Sequence, residues 1–186
     1  MKNIVFFASG GGSSVENMLR FFIKESQINV LAIFCNNQKA GLLKRNFLKN
    51  YKIITFKNKD LLNGNVLEEL KMIKPELIVL AGFLKKIPID IVSNFKKRII
   101  NIHPSLLPKY GGKNMYGINV HKSVIENNEK QSGLTIHYVN EEYDKGDIIF
   151  QKPVLVDTKN PEELANKILI QEHKYYPVVV KKILNV

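Results

Sequence analysis

The sequence predicts an α/β fold of three layers, in which a twisted, mostly parallel sheet has helices on both faces. Short apolar runs alternate with longer segments whose apolar residues recur at helical spacing. The apolar runs lack the in–out alternation of a half-exposed strand, which is typical of strands buried on both faces. Turn-forming residues close several of these runs. Together these observations favour alternating strand and helix units.

The strands are predicted from the apolar runs. Five of them are expected to be parallel: residues 3–8, 29–36, 51–56, 76–81 and 98–102. After Pro104 the character of the sequence changes, with a glycine-rich loop at 109–117. Two later segments, 133–140 and 148–156, are expected to pair with each other as strands.

The helices are predicted from apolar spacing. The first contains apolar residues at positions 15, 18, 19, 22 and 23, with Ser13 or Ser14 as its N-cap. Shorter helices are predicted at 42–48, 60–73, 89–95 and 119–127. The last begins near Pro161, a residue favoured in a first helical turn. It is expected to run towards Leu184, with a kink or break at Pro177.

Length and composition bound the class of protein. With 186 residues and ordinary apolar content, the chain is expected to be one domain spanning residues 1–186. No apolar run approaches the ~18 residues that cross a bilayer, and no signal-peptide pattern is present. We therefore expect a cytoplasmic protein. The single cysteine, Cys35, excludes an internal disulfide. The histidines form no metal-ligand spacing, so we predict no metal site.

The net charge of +11 is compatible with two kinds of partner. A basic chain can bind nucleic acid, or its field can attract small anionic substrates. The lysines are spread along the chain and do not form one stripe with aromatic residues between them. We therefore predict small-molecule substrates, with no nucleic-acid or membrane partner. Monomer and homodimer both stay open.

The segment Ile99-Ile100-Asn101-Ile102-His103-Pro104 is the first candidate for chemistry. Residues two apart on a strand share a face, so Asn101 and His103 are expected to project together from the strand end. An amide can donate to a developing oxyanion, and an imidazole can handle a proton. The alternative is structural: an asparagine that caps the turn and a histidine bonded to a backbone carbonyl.

The turn Ser9-Gly10-Gly11-Gly12-Ser13-Ser14 is the second candidate. A helix N-terminus offers free N–H groups and a positive dipole end, and glycine lets an anion approach the backbone. The turn is not a Walker loop, and it is a poor dinucleotide fingerprint because Val15 stands where a third glycine is required. The pattern therefore indicates either a phosphate-monoester site or a tight structural turn.

Strand order decides whether the candidate loops meet. Ligands of open parallel sheets bind at the carboxyl ends of the strands, where the strand order reverses. If the fourth strand lies beside the first, the loops at 9–14, 82–86 and 103–112 come together there. Taken singly, His137 is typical of a packed histidine, Asp144 of a turn residue and Glu172 of a solvated helix residue. Asp144 becomes catalytic only if its loop folds back to His103, where a carboxylate raises the basicity of an imidazole.

Taken together, the motifs resemble the glycinamide ribonucleotide formyltransferase family of purine biosynthesis, and the match covers essentially the whole chain. The matching segments are Ser9-Gly10-Gly11-Gly12-Ser13, Leu80-Ala81-Gly82-Phe83-Leu84, Asn101-Ile102-His103-Pro104-Ser105-Leu106-Leu107-Pro108-Lys109-Tyr110, the Gly133…His137…Asp144-x-Gly146 pattern and Gln171-Glu172-His173. The Asn-x-His-Pro-Ser-Leu-Leu-Pro run is specific to the wider folate-dependent formyltransferases, and Lys109-Tyr110 favours the ribonucleotide enzyme. The similar methionyl-tRNA formyltransferases and deformylases carry an extra domain, which we do not expect here.

The resemblance implies transfer of the formyl group of 10-formyltetrahydrofolate, a co-substrate, to the amino group of glycinamide ribonucleotide. It implies direct attack by the amine through a tetrahedral intermediate. The implied catalytic residues are Asn101, His103 and Asp144. The implied substrate-binding residues are Gly10, Gly11, Gly12, Ser13, Ser14, Pro104 and Glu172. The implied folate-binding residues are Phe83, Leu84, Lys85, Lys86, Ile87, Asn101, Asn140, Glu141 and Asp144.

Two other functions stay open. A formyltransferase of the same fold could act on another amine, on a sugar nucleotide or linked to tRNA. The chain could instead be a basic RNA-binding module, whose affinity would fall steeply with salt.

Overall fold

The computed structural model describes residues 1–186 and contains one seven-stranded sheet. Its strands are β1 (Lys2–Ala8), β2 (Ile28–Cys35), β3 (Ile53–Thr55), β4 (Leu77–Leu80), β5 (Ile99–His103), β6 (Gln131–Tyr138) and β7 (Ile148–Leu155). Its helices are α1 (Ser13–Phe22), α2 (Asn58–Leu62), α3 (Asn65–Ile73), α4 (Ile89–Asn94), α5 (Ile118–Glu126) and α6 (Pro161–Leu184). Two short 3₁₀ helices, Gly41–Lys44 and Asn46–Asn50, precede β3. None of the helices is long and apolar enough to span a bilayer.

The strand order is β3-β2-β1-β4-β5-β6-β7. The strands from β1 to β5 pair in parallel, whereas β6 runs antiparallel to β5 and β7 antiparallel to β6. β4 lies beside β1, as expected, so the strand order reverses there. The predicted α/β fold, with a mostly parallel sheet, is confirmed.

Each face of the sheet carries its own hydrophobic core, because successive side chains of a strand point to opposite faces. Ile4 and Phe6 of β1 pack in a core that includes residues of α1, α5 and α6. Val5 and Phe7 pack in the other core, with residues of α2, α3 and α4. Every one of these four β1 side chains is fully buried. The helices therefore cover both faces, three on each side.

Two of the predicted helices differ from the structure. The segment predicted at 42–48 forms the two 3₁₀ helices, because Arg45 between them is extended. The Arg45 guanidinium donates to the Gly11 carbonyl and pairs with Glu16, which holds it outside a helix. The helix predicted at 60–73 is divided into α2 and α3 by Gly64, whose φ of 89° is left-handed.

The N-cap of α1 differs from prediction, and at Pro177 the predicted kink or break is not a break. The N-cap of α1 is Gly12, with a φ of 76° and no side-chain cap, so neither serine caps the helix. Ser14 Oγ instead lies 3.4 Å from His173 Nε2. Helix α6 continues through Pro177 without a break. The side chain of Asn17 in α1 supplies a donor in place of the missing N–H.

Tyr176 fixes α6 to two neighbouring strands of the sheet. Its side chain is fully buried, and its hydroxyl donates to the carbonyls of Leu80 in β4 and Ile100 in β5 at 2.8 and 3.4 Å. Burial raises the pKa of Tyr176 well above its ordinary value, so the hydroxyl stays a donor at neutral pH. Helix α6 is thereby held against the neighbouring strands β4 and β5.

Replacing Tyr176 by Phe is expected to destabilise the protein. The ring stays but the hydroxyl is lost, which costs about 1–3 kcal/mol of unfolding free energy when buried acceptors lose their donor. Urea unfolding measures this loss. Tyr175→Phe is the matched control, because the Tyr175 ring packs on Phe150 and its hydroxyl makes no hydrogen bond. Equal stability of the two variants would contradict the anchoring role.

Candidate active site

A cleft of about 800 Å³ lies where β1, β4 and β5 end. Most of the predicted site residues line it: Ser14, Phe83, Leu84, Lys85, Lys86, Ile87, Asn101, His103, Pro104, Asn140, Asp144 and Glu172. Gly10, Gly11, Gly12 and Ser13 do not line the cleft, although they precede Ser14, which does. Glu141 lines a smaller neighbouring cavity. The structure therefore brings predicted site residues from the start of the chain, such as Ser14, and from its last helix, such as Glu172, into one cleft.

Asn101 and His103 occupy the last positions of β5 and share a face, as predicted from their spacing. Asn101 pairs across the antiparallel ladder with His137, and its Nδ2 lies 3.3 Å from His137 Nε2. Nδ1 of His137 donates to the Tyr138 carbonyl at 2.8 Å, so in the neutral ring Nε2 is the acceptor for the Asn101 amide. The Asn101 side chain makes no other hydrogen bond, so one of its amide hydrogens stays available to a ligand.

The imidazole of His103 is held between a carbonyl and a carboxylate. Its Nε2 lies 2.7 Å from the Tyr110 carbonyl, so Nε2 carries a hydrogen and donates. Its Nδ1 lies 3.5 Å from Oδ2 of Asp144. A proton that moves between His103 and its surroundings in the cleft therefore moves through Nδ1.

Asp144 returns to the cluster from the β6–β7 loop, which is the arrangement its catalytic prediction requires. Its other oxygen, Oδ1, lies 3.6 Å from His137 Nε2, and the Gly112 N–H donates to Oδ2 at 2.9 Å. The residue adopts a left-handed φ of 55°, which Asp tolerates better than most residues. Two residues later, a Cβ on Gly146 would collide with the Tyr138 carbonyl, so this tight turn requires glycine.

The pKa shifts of the cluster have identifiable causes. Burial lowers the pKa of His103, and the Asp144 carboxylate and the Tyr110 carbonyl oppose that effect without cancelling it. In the free protein the neutral ring is thus favoured over the charged ring. Burial raises the pKa of Asp144, but His137, His103 and the Gly112 N–H together hold it below the ordinary value. Asp144 is therefore ionised and raises the basicity of the ring beside it.

The glycine turn divides into two parts with different requirements. A Cβ on Gly12 would collide with Leu42, and its φ is left-handed, so the fold itself requires glycine there. A Cβ on Gly10 or Gly11 would meet nothing within 4 Å. The N–H groups from Gly11 to Ser14 donate no hydrogen bond within the chain. The start of α1 therefore offers several unused donors to an anion.

Comparisons with known proteins give the family. The model of the family described as "Formyl transferase" matches residues 2–180. The chain belongs to the formyl transferase family. The resemblance to the glycinamide ribonucleotide enzymes of this family is also confirmed, because the similar proteins carry that name.

Two curated relatives and one solved structure illustrate the similarity. The chain is 38% identical to the chloroplastic phosphoribosylglycinamide formyltransferase of Arabidopsis thaliana, over 96% of this chain and 64% of that protein. It is 32% identical to the phosphoribosylglycinamide formyltransferase of Bacillus subtilis, over 99% of this chain and 95% of that one. The glycinamide ribonucleotide transformylase 1 structure of Geobacillus kaustophilus has a TM-score of 0.87 and 30% identity, over 99% of both chains. The chain thus spans less than two thirds of the plant relative but nearly all of the bacterial ones.

Glu172 of this formyl transferase family member reaches the cleft from α6. Its carboxylate makes no hydrogen bond or ion pair within the chain. Burial raises the pKa of Glu172 to about 7. The charged form is therefore less favoured than in an exposed glutamate, and Glu172 is a partly buried residue of the cleft, which differs from the solvated position expected for it singly.

Several residues that contact the predicted site residues were not predicted from the sequence. Tyr110 and Gly112 act through backbone groups, which no side-chain pattern reveals. His137 was expected to be merely packed, and only its pairing opposite Asn101 brings it to Asp144. His173 touches Ser14, and burial lowers its pKa, with Arg45 adding to the effect. The Glu172-His173 pair in the sequence was the feature that could have predicted the contact between His173 and Ser14.

Replacing Asp144 by Asn is expected to lower the pKa of His103 further. The carboxylate is the main group that opposes burial, so its removal leaves the charged ring less stable. NMR titration of the histidine ring resonances measures the change. Asp147→Asn is the control, since Asp147 is exposed and lies 3.4 Å from Lys97. An unchanged or raised His103 pKa in Asp144→Asn would contradict this electrostatic account.

Proposed function

We propose that the protein transfers the formyl group of 10-formyltetrahydrofolate to the amino group of glycinamide ribonucleotide. The observation that carries the proposal is the Asn101–His103–Asp144 cluster in the same cleft as Ser14, which lies at the end of the glycine turn and in the first turn of α1. The names of the similar proteins favour this acceptor over a sugar nucleotide or a tRNA-linked amine. Nothing favours the alternative of an RNA-binding module.

The two walls of the cleft fit a reduced folate. One wall is the segment from Phe83 to Ile87, and the backbone N–H groups of Lys85, Lys86 and Ile87 donate no hydrogen bond within the chain. The opposite wall contains Asn140 and Asp144. Leu84 is half exposed at the cleft and offers an apolar contact. Free backbone groups beside an apolar side chain suit a flat heterocycle rich in donors and acceptors. When bound, the folate supplies the formyl group.

The amine of the ribonucleotide attacks the formyl carbon directly, so no protein nucleophile is required. An α-amino group has a pKa near ~8, which leaves a useful neutral fraction at neutral pH. As negative charge builds on the formyl oxygen, the free amide hydrogen of Asn101 donates to it. A preorganised donor of this kind contributes ~3–4 kcal/mol in related chemistry.

His103 and Asp144 handle the proton in this proposal. The neutral His103 ring takes up at Nδ1 the proton that the attacking amine loses, because Asp144 3.5 Å away stabilises the charged ring. The proton lost by the attacking amine then reaches the leaving nitrogen through this pair and a bound water. The Gly112 N–H keeps the carboxylate aimed at the ring throughout.

Glu172 and the glycine turn hold the two ends of the ribonucleotide. The unpartnered carboxylate of Glu172 is proposed to accept from the amino or ribose end. The free N–H groups from Gly11 to Ser14 are proposed to hold the phosphate, which a helix N-terminus favours. The net charge of +11 attracts both anionic substrates.

Some predictions stay predictions. These are the single domain at 1–186, the monomer or homodimer, the absence of a metal and the cytoplasmic location. The Arabidopsis relative is named as chloroplastic.

Asn101→Ala and Asp144→Asn are each expected to reduce turnover at least ~100-fold while the fold survives. The first loses the donor to the oxyanion, and the second loses the group that supports proton uptake. Formyl transfer from 10-formyltetrahydrofolate to glycinamide ribonucleotide, followed optically, measures the effect. Asp147→Asn should turn over normally. A variant with unchanged turnover would remove its residue from the catalytic trio.

Gly10→Ala is expected to fold normally, because its Cβ meets nothing within 4 Å. We expect it to raise the KM for glycinamide ribonucleotide about 10-fold at similar kcat, since the methyl group occupies the approach of the phosphate. The dephosphorylated substrate is the control, and with it the variant and the wild type should behave alike. An unchanged KM for the phosphorylated substrate would count against phosphate binding at this turn.

A further inference from the structure

Pro177 leaves one carbonyl of α6 without its usual partner. A proline has no N–H, so it cannot donate to the carbonyl four residues earlier, and here that carbonyl belongs to His173. Nδ2 of Asn17, in α1, donates to this carbonyl at 2.7 Å. A side chain of one helix therefore replaces the missing backbone donor of another.

This bond lies between the two halves of the proposed ribonucleotide site. Asn17 is one turn into α1, just after the free N–H groups of Gly11 to Ser14. His173 follows Glu172, whose unpartnered carboxylate lines the cleft. The His173 ring also contacts Ser14 at 3.4 Å. Any shift of α6 along α1 would thus change the separation between the turn and Glu172.

We propose that Asn17 is a positioning residue for the ribonucleotide, and that Pro177 creates the acceptor on which it acts. The pair fixes the register of α6 against α1, so that Glu172 and the glycine turn stand at the spacing of the substrate's two ends. This inference rests on the proposed function, because it assumes a substrate that spans both groups. A residue other than proline at position 177 would donate its own N–H to the His173 carbonyl. The register of α6 against α1 would then depend on side-chain packing.

A merely structural bond would give a different result in a double-variant experiment. Asn17→Leu removes the donor at similar volume, and Pro177→Ala restores a backbone N–H opposite the His173 carbonyl. Asn17→Leu/Pro177→Ala therefore has a satisfied carbonyl but no link between the helices. Stability and substrate binding should separate in this variant.

For Asn17→Leu we expect a melting temperature lower by about 3–6 °C and a KM for glycinamide ribonucleotide higher by about 10-fold. The KM for 10-formyltetrahydrofolate and kcat should stay within about twofold, because the folate walls lie on other elements. In the double variant the melting temperature should recover to that of Pro177→Ala, while the KM for the ribonucleotide stays high.

Asn127→Leu is the matched control. Its amide also donates to a helix carbonyl, that of Ser123, but within its own helix and away from the cleft. It should leave both KM values unchanged. If Asn17→Leu alone does not fold, the double variant carries the test, since its carbonyl has a donor.

Recovery of the ribonucleotide KM together with stability in the double variant would overturn the positioning role. An unchanged KM in Asn17→Leu, or equal changes in both KM values, would overturn it as well. If the wild type transfers no formyl group to glycinamide ribonucleotide, the proposed function fails first and this inference falls with it. The two failures are distinguished by the wild-type assay.

Discussion

The antiparallel pairing of β6 with β5 is the constraint on which the site depends. It sets Asn101 opposite His137 and His103 opposite Thr135. A slip of one residue would turn His137 into the core that holds Leu134 and Ile136. The same register lets the Thr135 hydroxyl accept from the Leu107 N–H and donate to the Ser105 carbonyl. Pairing therefore fixes both the imidazole beside Asn101 and the loop whose Tyr110 carbonyl holds His103.

The cluster of His103, His137 and Asp144 is buried, so a nearby charge has a strong effect on its protonation. The side chains of His103 and His137 are almost fully enclosed, and that of Asp144 is 11% exposed. Burial disfavours a charge on the His103 ring and on the Asp144 carboxylate, and their proximity, with the Tyr110 carbonyl and the Gly112 N–H, opposes this effect. In the proposed reaction, an ionised Asp144 next to a neutral His103 favours protonation of the ring when an anion develops in the cleft.

The fold was predictable from sequence because burial and periodicity act locally. The runs around Phe6, Val79 and Ile100 became central strands, and the two-residue spacing of Asn101 and His103 gave their shared face. What local patterns could not give was contact across elements. Arg45 leaves the helical conformation to reach Gly11, and Ser14 contacts His173 in preference to capping α1. The backbone donors and acceptors of Tyr110 and Gly112 carry no side-chain signature at all. Resemblance to a family supplied Asp144 and Glu172, which spacing alone left as a turn residue and a solvated residue.

Several features that the local sequence pattern mispredicts, such as the N-cap of α1, lie around the cleft. Polar groups there are left without a partner in the chain and are available to a ligand. Outside it, only the buried side-chain atoms His121 Nδ1 and Ser132 Oγ are left without a hydrogen bond. Around it, the Glu172 carboxylate, one Asn101 amide hydrogen and the N–H groups at the start of α1 have no partner. A complementary ligand would supply the hydrogen-bond partner that each of these groups lacks within the chain. A serine N-cap on α1, or a non-proline residue at position 177 of α6, would make the helix concerned locally more stable. The first change would remove free N–H donors from the start of α1. The second would remove the need for the bond between α1 and α6, which brings the two ends of the proposed site together.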